Sequence, residues 1–204
     1  MHKKILNKVN KYYSEKIVQY GTTSKGVDWN GKESHFLRFE QLCKVLSYKN
    51  NFSLLDFGCG YGSLLEYLKS NNINCNYTGF DISTEMIINA KVKYSAKNIV
   101  FKTTLENEKF DYTIANGIFN VKLDALNDDW EKYILDTICK INQVSIKGFS
   151  FNILTSYSDK DFIKDYLYYA NPFFYFDYCK MNFSKNVALL HDYDLYEFTI
   201  IVRK

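Results

Sequence analysis

The spacing of apolar positions in the first 48 residues predicts two helices joined by a loop. Apolar side chains recur every three to four residues over 4–19 and again over about 32–48, which is typical of helices with one buried face. The stretch 21–26 between them is rich in glycine, threonine and serine, and this composition predicts a loop. We therefore expect an N-terminal helical cover over residues 1–48 and a main domain over residues 49–204.

From residue 52 onward, short apolar runs alternate with amphipathic segments. The apolar runs predict seven strands at 52–57, 77–81, 99–102, 110–115, 149–154, 186–190 and 197–202. The amphipathic segments predict helices at about 62–70, 84–95 and 127–143. The aromatic-dense stretch 166–178 is interpreted as the end of a helix broken near Pro172, followed by a loop.

The order of these elements predicts an α/β fold. Strands that alternate with helices form a mostly parallel sheet with helices on both faces. The last two predicted strands are separated by only about six residues, and a parallel crossover needs a dozen or more. These two strands must therefore be antiparallel, so the seven-stranded sheet is mixed.

Composition and charge narrow the class of protein. A net charge of +3 disfavours a nucleic-acid partner, because phosphate binding needs a concentrated basic face. The five cysteines include no CxxC pair, so we predict neither a disulfide framework nor a metal site. No apolar run approaches the ~18–20 residues of a membrane span, and no long apolar signal segment precedes the first helix. We expect a cytoplasmic protein with reduced thiols and no membrane partner.

A glycine-rich stretch, Asp56-Phe-Gly-Cys-Gly-Tyr-Gly62, follows the first predicted strand. Glycines in a turn between strand and helix let a ligand approach the backbone closely. Open α/β sheets bind ligands at the carboxyl ends of their strands. Asp81 closes the next predicted strand, where a carboxylate can accept hydrogen bonds from the ribose hydroxyls of an adenosine ligand. Together these residues predict binding of an adenosine-containing ligand.

These two motifs resemble those of the class I S-adenosylmethionine-dependent methyltransferases. The resemblance covers about residues 50–204 and implies a Rossmann-like sheet whose last strand is antiparallel, in agreement with the predicted terminal hairpin. It implies S-adenosylmethionine as cofactor, with Gly58 and Gly60 lining its methionine part, Asp81 holding the ribose and Ile82 packing on the adenine. The cofactor-binding residues that the resemblance assigns to these motifs are Asp56, Gly58, Cys59, Gly60, Asp81 and Ile82.

The third and fourth strands carry looser matches to the same family. Leu105 lies where many members have an Asp and an apolar residue against the adenine, but the Asp is missing here. Asn116 and Gly117 end the fourth strand, which faces the transferable methyl group in the family, and Asn116 can contact the methionine amine through its side chain or its carbonyl. The Pro-Pro-aromatic and Pro-Cys motifs of DNA-methylating members are absent from the sequence, which favours a small-molecule acceptor.

The remaining candidates lie in the cover and in the last hairpin. The cover resembles that of small bacterial methyltransferases. In it, Tyr13 meets the cofactor or packs between helices, and Trp29 walls off the cofactor or fills the core. Arg38 grips a cofactor or acceptor carboxylate, or pairs with a surface glutamate. His35 and His191 are the candidate bases, which are needed only if an acceptor hydroxyl must lose a proton. His191 lies at the ligand-binding edge if the sixth strand is parallel to the others; the alternative is a solvated turn.

We therefore expect an S-adenosylmethionine-dependent methyltransferase that acts on an oxygen, or less readily a nitrogen, of a small-molecule acceptor. The breadth of the family admits surface-glycan or secondary-metabolite precursors. Three alternatives stay open: a non-catalytic S-adenosylmethionine-binding partner protein, an RNA methyltransferase, and an NAD-dependent oxidoreductase. The low net charge counts against RNA, and Ser63 stands where a dinucleotide motif needs its third glycine.

Overall fold

The computed structural model describes residues 2–27, 31–47 and 51–204, so the predicted role of Trp29 lies outside the described residues. The helices are α1 His2–Tyr20, α2 Lys32–Cys43, α3 Ser63–Ser70, α4 Thr84–Lys93, α5 Asn127–Val144 and α6 Pro172–Asn182, with 3-10 turns at Ser24–Val27 and Lys160–Phe162. The strands are β1 Ser53–Phe57, β2 Asn76–Phe80, β3 Ile99–Lys102, β4 Phe110–Ala115, β5 Ser145–Leu154, β6 Asn186–Leu190 and β7 Glu197–Arg203. Among these helices, none is both long and apolar enough to cross a membrane.

The seven strands form one mixed sheet in the order β3-β2-β1-β4-β5-β7-β6. Strands β1 to β5 pair in parallel, and β7 is antiparallel to both β5 and β6. The predicted α/β class, the mixed sheet and the antiparallel last strand are confirmed. Because β7 is antiparallel to both of its neighbours, β6 runs parallel to β5. The turn after β6 therefore lies at the carboxyl edge of the sheet.

Helices cover both faces of the sheet. Apolar side chains of α2, α3 and α4 form one core with the first face, and those of α5 and α6 form a second core with the other. On α5 the predicted apolar stripe is completely buried, and its members are Trp130, Ile134, Ile138 and Ile141. Burial of one such side chain stabilises the fold by about 1.5–3 kcal/mol, which is why a helix with this spacing docks on the sheet.

Helix α2 belongs to the first core, whereas α1 lies over the carboxyl edge. Leu42 of α2 is fully buried, and its carbonyl accepts a hydrogen bond of 2.8 Å from Ser150 Oγ on β5. Helix α1 is attached from the side: Lys8 Nζ lies 2.5 Å from a carboxylate oxygen of Asp124, and Ser14 Oγ lies 2.9 Å from Ser83 Oγ. The proposed division of the chain into a helical cover over residues 1–48 and a main domain over residues 49–204 stays a prediction.

Helix α6 corrects the interpretation of the aromatic-dense stretch. The expected helix end near Pro172 followed by a loop is wrong, because Pro172 begins the helix and the loop precedes it. Proline is tolerated in the first helical turn, where its missing N–H has no acceptor to serve. The side chain of Asn171 accepts a hydrogen bond of 3.0 Å from Phe173 N and so caps the helix.

The connection from β3 to β4 is short. Residues 103–109 contain no helix, although parallel strands are usually joined by a helical crossover. Seven extended residues reach at most about 25 Å, and this chain must pass both β2 and β1, so no length is left for a helix. Val100 on β3 consequently keeps 49% of its surface exposed.

Candidate functional site

A cavity of about 220 Å³ opens at the carboxyl edge of the sheet, above β1, β2 and β4 and beneath α1. We call it the edge cavity. Ten predicted site residues line it, namely Tyr13, His35, Asp56, Gly58, Cys59, Gly60, Asp81, Ile82, Asn116 and Gly117. Three others, Arg38, Leu105 and His191, do not.

The turn after β1 requires glycine for two separate reasons. Gly58 has a φ of +82°, a left-handed conformation that side chains rarely adopt. A Cβ at this position would also lie 2.2 Å from Cγ2 of Ile118. The backbone N–H groups of Gly58 and Cys59 donate to the carbonyl of Phe80 at 2.7 and 2.9 Å, which fixes the turn against β2. Burial raises the pKa of the Cys59 thiol, which disfavours the thiolate form that a nucleophile needs.

Asp81 lies at the end of β2 and faces the same turn. One carboxylate oxygen accepts from Gly60 N at 2.9 Å and the other from Ser83 N at 2.9 Å. Burial raises the pKa of Asp81, and the two backbone donors partly offset this effect. Each carboxylate oxygen has two lone pairs, so both can still accept a hydrogen bond from a ligand hydroxyl.

Asp56 forms the floor of the edge cavity. Its carboxylate is buried and accepts a hydrogen bond of 2.6 Å from the Tyr77 hydroxyl. Burial raises the pKa of Asp56 to about 7, against the opposing effect of that hydrogen bond. A side chain held in this way supports the glycine turn from below.

His35 lies in the cavity wall as a neutral side chain. It is 4% exposed, its ring centroid lies 4.5 Å from that of Phe39, and Nε2 lies 3.4 Å from Ser63 Oγ. Burial, with a contribution from the positive charge of Arg38, lowers the pKa of His35 to about 3. Near neutral pH this imidazole can make hydrogen bonds but carries no charge. Its predicted role as a base stays a prediction.

Arg38 points into the protein behind the cavity. Its guanidinium pairs with the carboxylate of Glu197 on β7, which is completely buried. Burial raises the pKa of Glu197 to about 7, although the charge of Arg38 and a hydrogen bond from Asn152 act in the opposite direction. An Arg–Glu pair was one expected alternative, but the partner is a buried glutamate, not a surface one.

His191 and Leu105 lie away from the edge cavity. His191 is exposed in the turn between β6 and β7, at the carboxyl edge, and its ring contacts those of Tyr157 and Phe198. Leu105 lies on the short β3–β4 connection and is half-buried. Their roles as base and adenine contact remain predictions that this geometry does not support.

Three residues of α5 that the sequence did not single out complete the wall, namely Tyr133, Thr137 and Lys140. Tyr133 and Thr137 line the edge cavity beside Ile118. Burial raises the pKa of Tyr133 to about 12, so its hydroxyl remains protonated. The sequence could have indicated Tyr133 and Thr137, because each directly precedes a residue of the buried stripe, Ile134 or Ile138. In residues 2–27, 31–47 and 51–204, no three His, Cys, Asp or Glu side chains gather as metal ligands.

The Rossmann-like methyltransferase class is defined by three features of this structure: a sheet that is parallel except for β7, a glycine turn after β1, and a carboxylate after β2. Residues 55–135 match a family model described as "Methyltransferase domain". Rv1506c of Mycobacterium tuberculosis, whose name assigns it to the methyltransferases, is 46% identical over 164 residues, which cover 79% of this chain and 98% of that protein. The chain belongs to the class I S-adenosylmethionine-dependent methyltransferase family.

Solved structures show the same fold at low sequence identity. Magnesium protoporphyrin IX methyltransferase from Synechocystis PCC 6803, crystallised with bound SAH, matches with a TM-score of 0.64 and 16% identity over 84% of each chain. A SAM-dependent methyltransferase from Leishmania major matches with a TM-score of 0.64 and 15% identity over 96% of this chain and 82% of that one. A tRNA (guanine-N(7)-)-methyltransferase of Prochlorococcus marinus is 32% identical over 116 residues, and the chain spans about half (49%) of its length.

Proposed function

We propose that this protein binds S-adenosylmethionine in the edge cavity and transfers its methyl group to an oxygen, or less readily a nitrogen, of a small-molecule acceptor. The observation that carries the proposal is the pairing of Asp81 with Gly60 at 2.9 Å, directly beside the left-handed turn at Gly58. This arrangement puts a carboxylate with spare lone pairs next to a glycine turn that lines the cavity, as an adenosine ligand with a charged tail requires.

The wall residues fit the parts of this cofactor. In the proposed complex, Asp81 accepts the ribose hydroxyls and the backbone at Gly58 and Gly60 meets the methionine part. Ile82 and Ile118 offer apolar surface for the adenine, and Tyr133 closes that end. The cofactor supplies the activated methyl group when bound, so the chain's own residues mainly hold acceptor and donor in line and exclude water.

The position of α1 supports a small acceptor. Leu6, Val9, Asn10 and Tyr13 of this helix line the edge cavity from above. A reacting centre covered by a helix is closed to a macromolecule unless the helix moves. Surface-glycan and secondary-metabolite precursors are acceptors of suitable size, and we retain both as candidates.

The experiment is calorimetric titration of the protein with S-adenosylmethionine, S-adenosylhomocysteine and NADH. We expect micromolar binding of both sulfur compounds, and at least about tenfold weaker binding by Asp81→Ala, because hydrogen bonds to a charged group contribute ~1.5–3 kcal/mol. Asp165→Ala, which removes an exposed carboxylate, should bind as the wild type does. Preference for NADH would contradict the proposal. Binding without methyl transfer to any acceptor would favour the non-catalytic alternative.

RNA methylation is a second candidate because of the similarity to tRNA (guanine-N(7)-)-methyltransferases. Binding that depends on phosphate contacts weakens steeply with salt, by ~10³–10⁵ between 50 and 200 mM when six to ten phosphates are contacted. We expect no such binding of bulk tRNA by this chain. A steep loss of tRNA affinity over that range would make RNA the first candidate.

A further inference from the structure

A buried amide at the centre of the sheet controls the turn after β4. Asn152 of β5 is fully buried. Its Oδ1 accepts from Gly117 N at 2.8 Å, and its Nδ2 donates to Glu197 Oε2 at 2.7 Å and to Asn116 Oδ1 at 3.1 Å. Both N–H donors of Asn152 and one lone pair of its oxygen are therefore used by these three residues.

The chemistry of these partners fixes which way each amide points. A backbone N–H can only donate, so Gly117 must face the oxygen of Asn152. The two hydrogens on Nδ2 of Asn152 then point to Glu197 and Asn116. Asn116 must present its own oxygen to Asn152, and its NH₂ group is turned away from the network. Asn116 is half-buried and lines the edge cavity.

The far end of the network is held by charge. Arg38 pairs with Glu197, and this carboxylate is buried at the start of β7, between β5 and the edge strand β6. The order of donors and acceptors thus runs from the Arg38 cation through Glu197 and Asn152 to Asn116. Reversing the amide of Asn116 would set two NH₂ groups against each other, which costs an unsatisfied buried donor.

We propose that Asn116 donates hydrogen bonds to an acidic oxygen of the methyl acceptor, a carboxylate or a phenolate, and that this acceptor is methylated without a base from the chain. This inference rests on the proposed function, because it assigns the acceptor side of the same cavity. An amine nucleophile in its ammonium form has only donors to offer, so it does not match the NH₂ group of Asn116.

The reaction balances without a proton acceptor from the protein. The acidic hydroxyl loses its proton to water before it enters the cavity. An oxygen lone pair forms the O–CH₃ bond while the C–S bond breaks and its electron pair stays on sulfur. Anion and sulfonium become a neutral methyl ester or ether and a neutral thioether. This agrees with the two candidate bases, since a pKa of about 3 makes His35 a weak proton acceptor and His191 lies outside the cavity.

The test uses protein saturated with S-adenosylhomocysteine and three small probes: benzoate, 4-nitrophenolate and benzylammonium. Calorimetry measures the affinity of each probe, and ¹⁵N NMR follows the side-chain amide of Asn116. We expect at least one of the two anions to bind and shift this amide signal, with no effect of benzylammonium. The anion that binds more tightly distinguishes a carboxylate acceptor from a phenolate.

Two variants of Asn116 distinguish the loss of its NH₂ donor from the addition of a negative charge. Asn116→Leu removes the NH₂ group without adding charge, and Asn116→Asp replaces it by an acceptor; both should bind the anion at least about tenfold more weakly. Asn107→Asp, the same change at an exposed position on the β3–β4 connection, should leave anion affinity unchanged.

Three results would overturn the inference: undiminished anion binding by both Asn116 variants, tighter binding of benzylammonium than of either anion, or no binding of either anion. Each result is obtained on protein that holds S-adenosylhomocysteine, so the proposed function would survive it. Failure to bind S-adenosylhomocysteine would instead contradict the proposed function itself.

Discussion

The neutral state of His35 illustrates how burial outweighs neighbouring charge at a single residue. Its imidazole lies between Arg38, which lowers its pKa further, and Glu66, which acts in the opposite direction. Loss of hydration is the largest effect, as expected for a side chain packed against Phe39 and 4% exposed. A cavity wall that must contact a charged ligand therefore contains a polar group without a charge of its own.

This burial predicts a pH dependence of stability. The pKa of His35 is about 3 in the folded protein and about 6.5 in the unfolded chain. As pH falls from 6.5 towards 3, only the unfolded state gains the proton, so the free energy of unfolding falls by up to about 1.4 kcal/mol per pH unit. His35→Gln should lose less stability than wild type between pH 6.5 and 5 in urea titrations.

The comparison with wild type at each pH is needed because other buried groups titrate as well. Asp56 and Glu197 have raised pKa values of about 7, so both favour the folded state as pH falls. Their contribution is common to wild type and variant. His191→Gln, the same change at an exposed position, is the matched control. Equal slopes for His35→Gln and wild type would contradict the buried, neutral state.

At the scale of elements, the start of α6 depends on one side chain. Asn171 caps the helix, and Pro172 occupies the first turn. Asn171→Ala should lower the free energy of unfolding by about 1 kcal/mol, measured by urea denaturation, because a backbone N–H loses its acceptor. Asn171→Ser keeps a capping oxygen and should lose only a few tenths of that. Equal losses in the two variants would show that the cap contributes nothing.

The short β3–β4 connection changes which element closes the cavity. A helix after β3 would cover the neighbouring face of the sheet, but residues 103–109 have no length for one. Leu105 consequently lies outside the wall, and Tyr133 and Thr137 of α5 take part in it.

At the scale of the molecule, we expect local unfolding to be more frequent in α1 than in the central strands of the sheet. Strands β4, β5 and β7 lie inside the sheet and are mostly buried, whereas α1 lies over its edge and is held by few buried apolar side chains, such as Ile17, and by polar contacts of Lys8 and Ser14. Backbone amides exchange with solvent through local opening, so α1 should exchange fastest and these strands slowest. Hydrogen-exchange mass spectrometry measures both.

Binding of S-adenosylhomocysteine should slow exchange in α1, because this helix lines the cavity. Exchange in α6 should not change, since no residue of Pro172–Asn182 lines it. Unaltered exchange in α1 on a protein that binds the ligand would show that the helix is no cover.

Features that depend on neighbouring residues could be predicted from the sequence, whereas contacts between distant residues could not. The strands, the glycine turn and Asp81 follow from patterns within a few residues, and the antiparallel hairpin follows from its six-residue turn. The start of α6 at Pro172 was predicted as a helix end, because a run of aromatic residues has no clear period and does not distinguish the start of a helix from its end. The Arg38–Glu197 pair joins residues far apart in sequence, and no local pattern identifies such partners.

The Arg38–Glu197 pair can form only late in translation, because its two residues lie near opposite ends of the chain. At about 5–20 residues per second, Glu197 leaves the ribosome roughly 8 to 30 s after Arg38. Until then Arg38 lacks its carboxylate and Asn152 lacks an acceptor for one N–H. The nascent chain therefore has its glycine turn and Asp81 long before the turn at Asn116 is fixed. A chain truncated before β7 keeps the sequence motifs of a methyltransferase but lacks Glu197, one of the three partners that fix Asn152 beside Asn116.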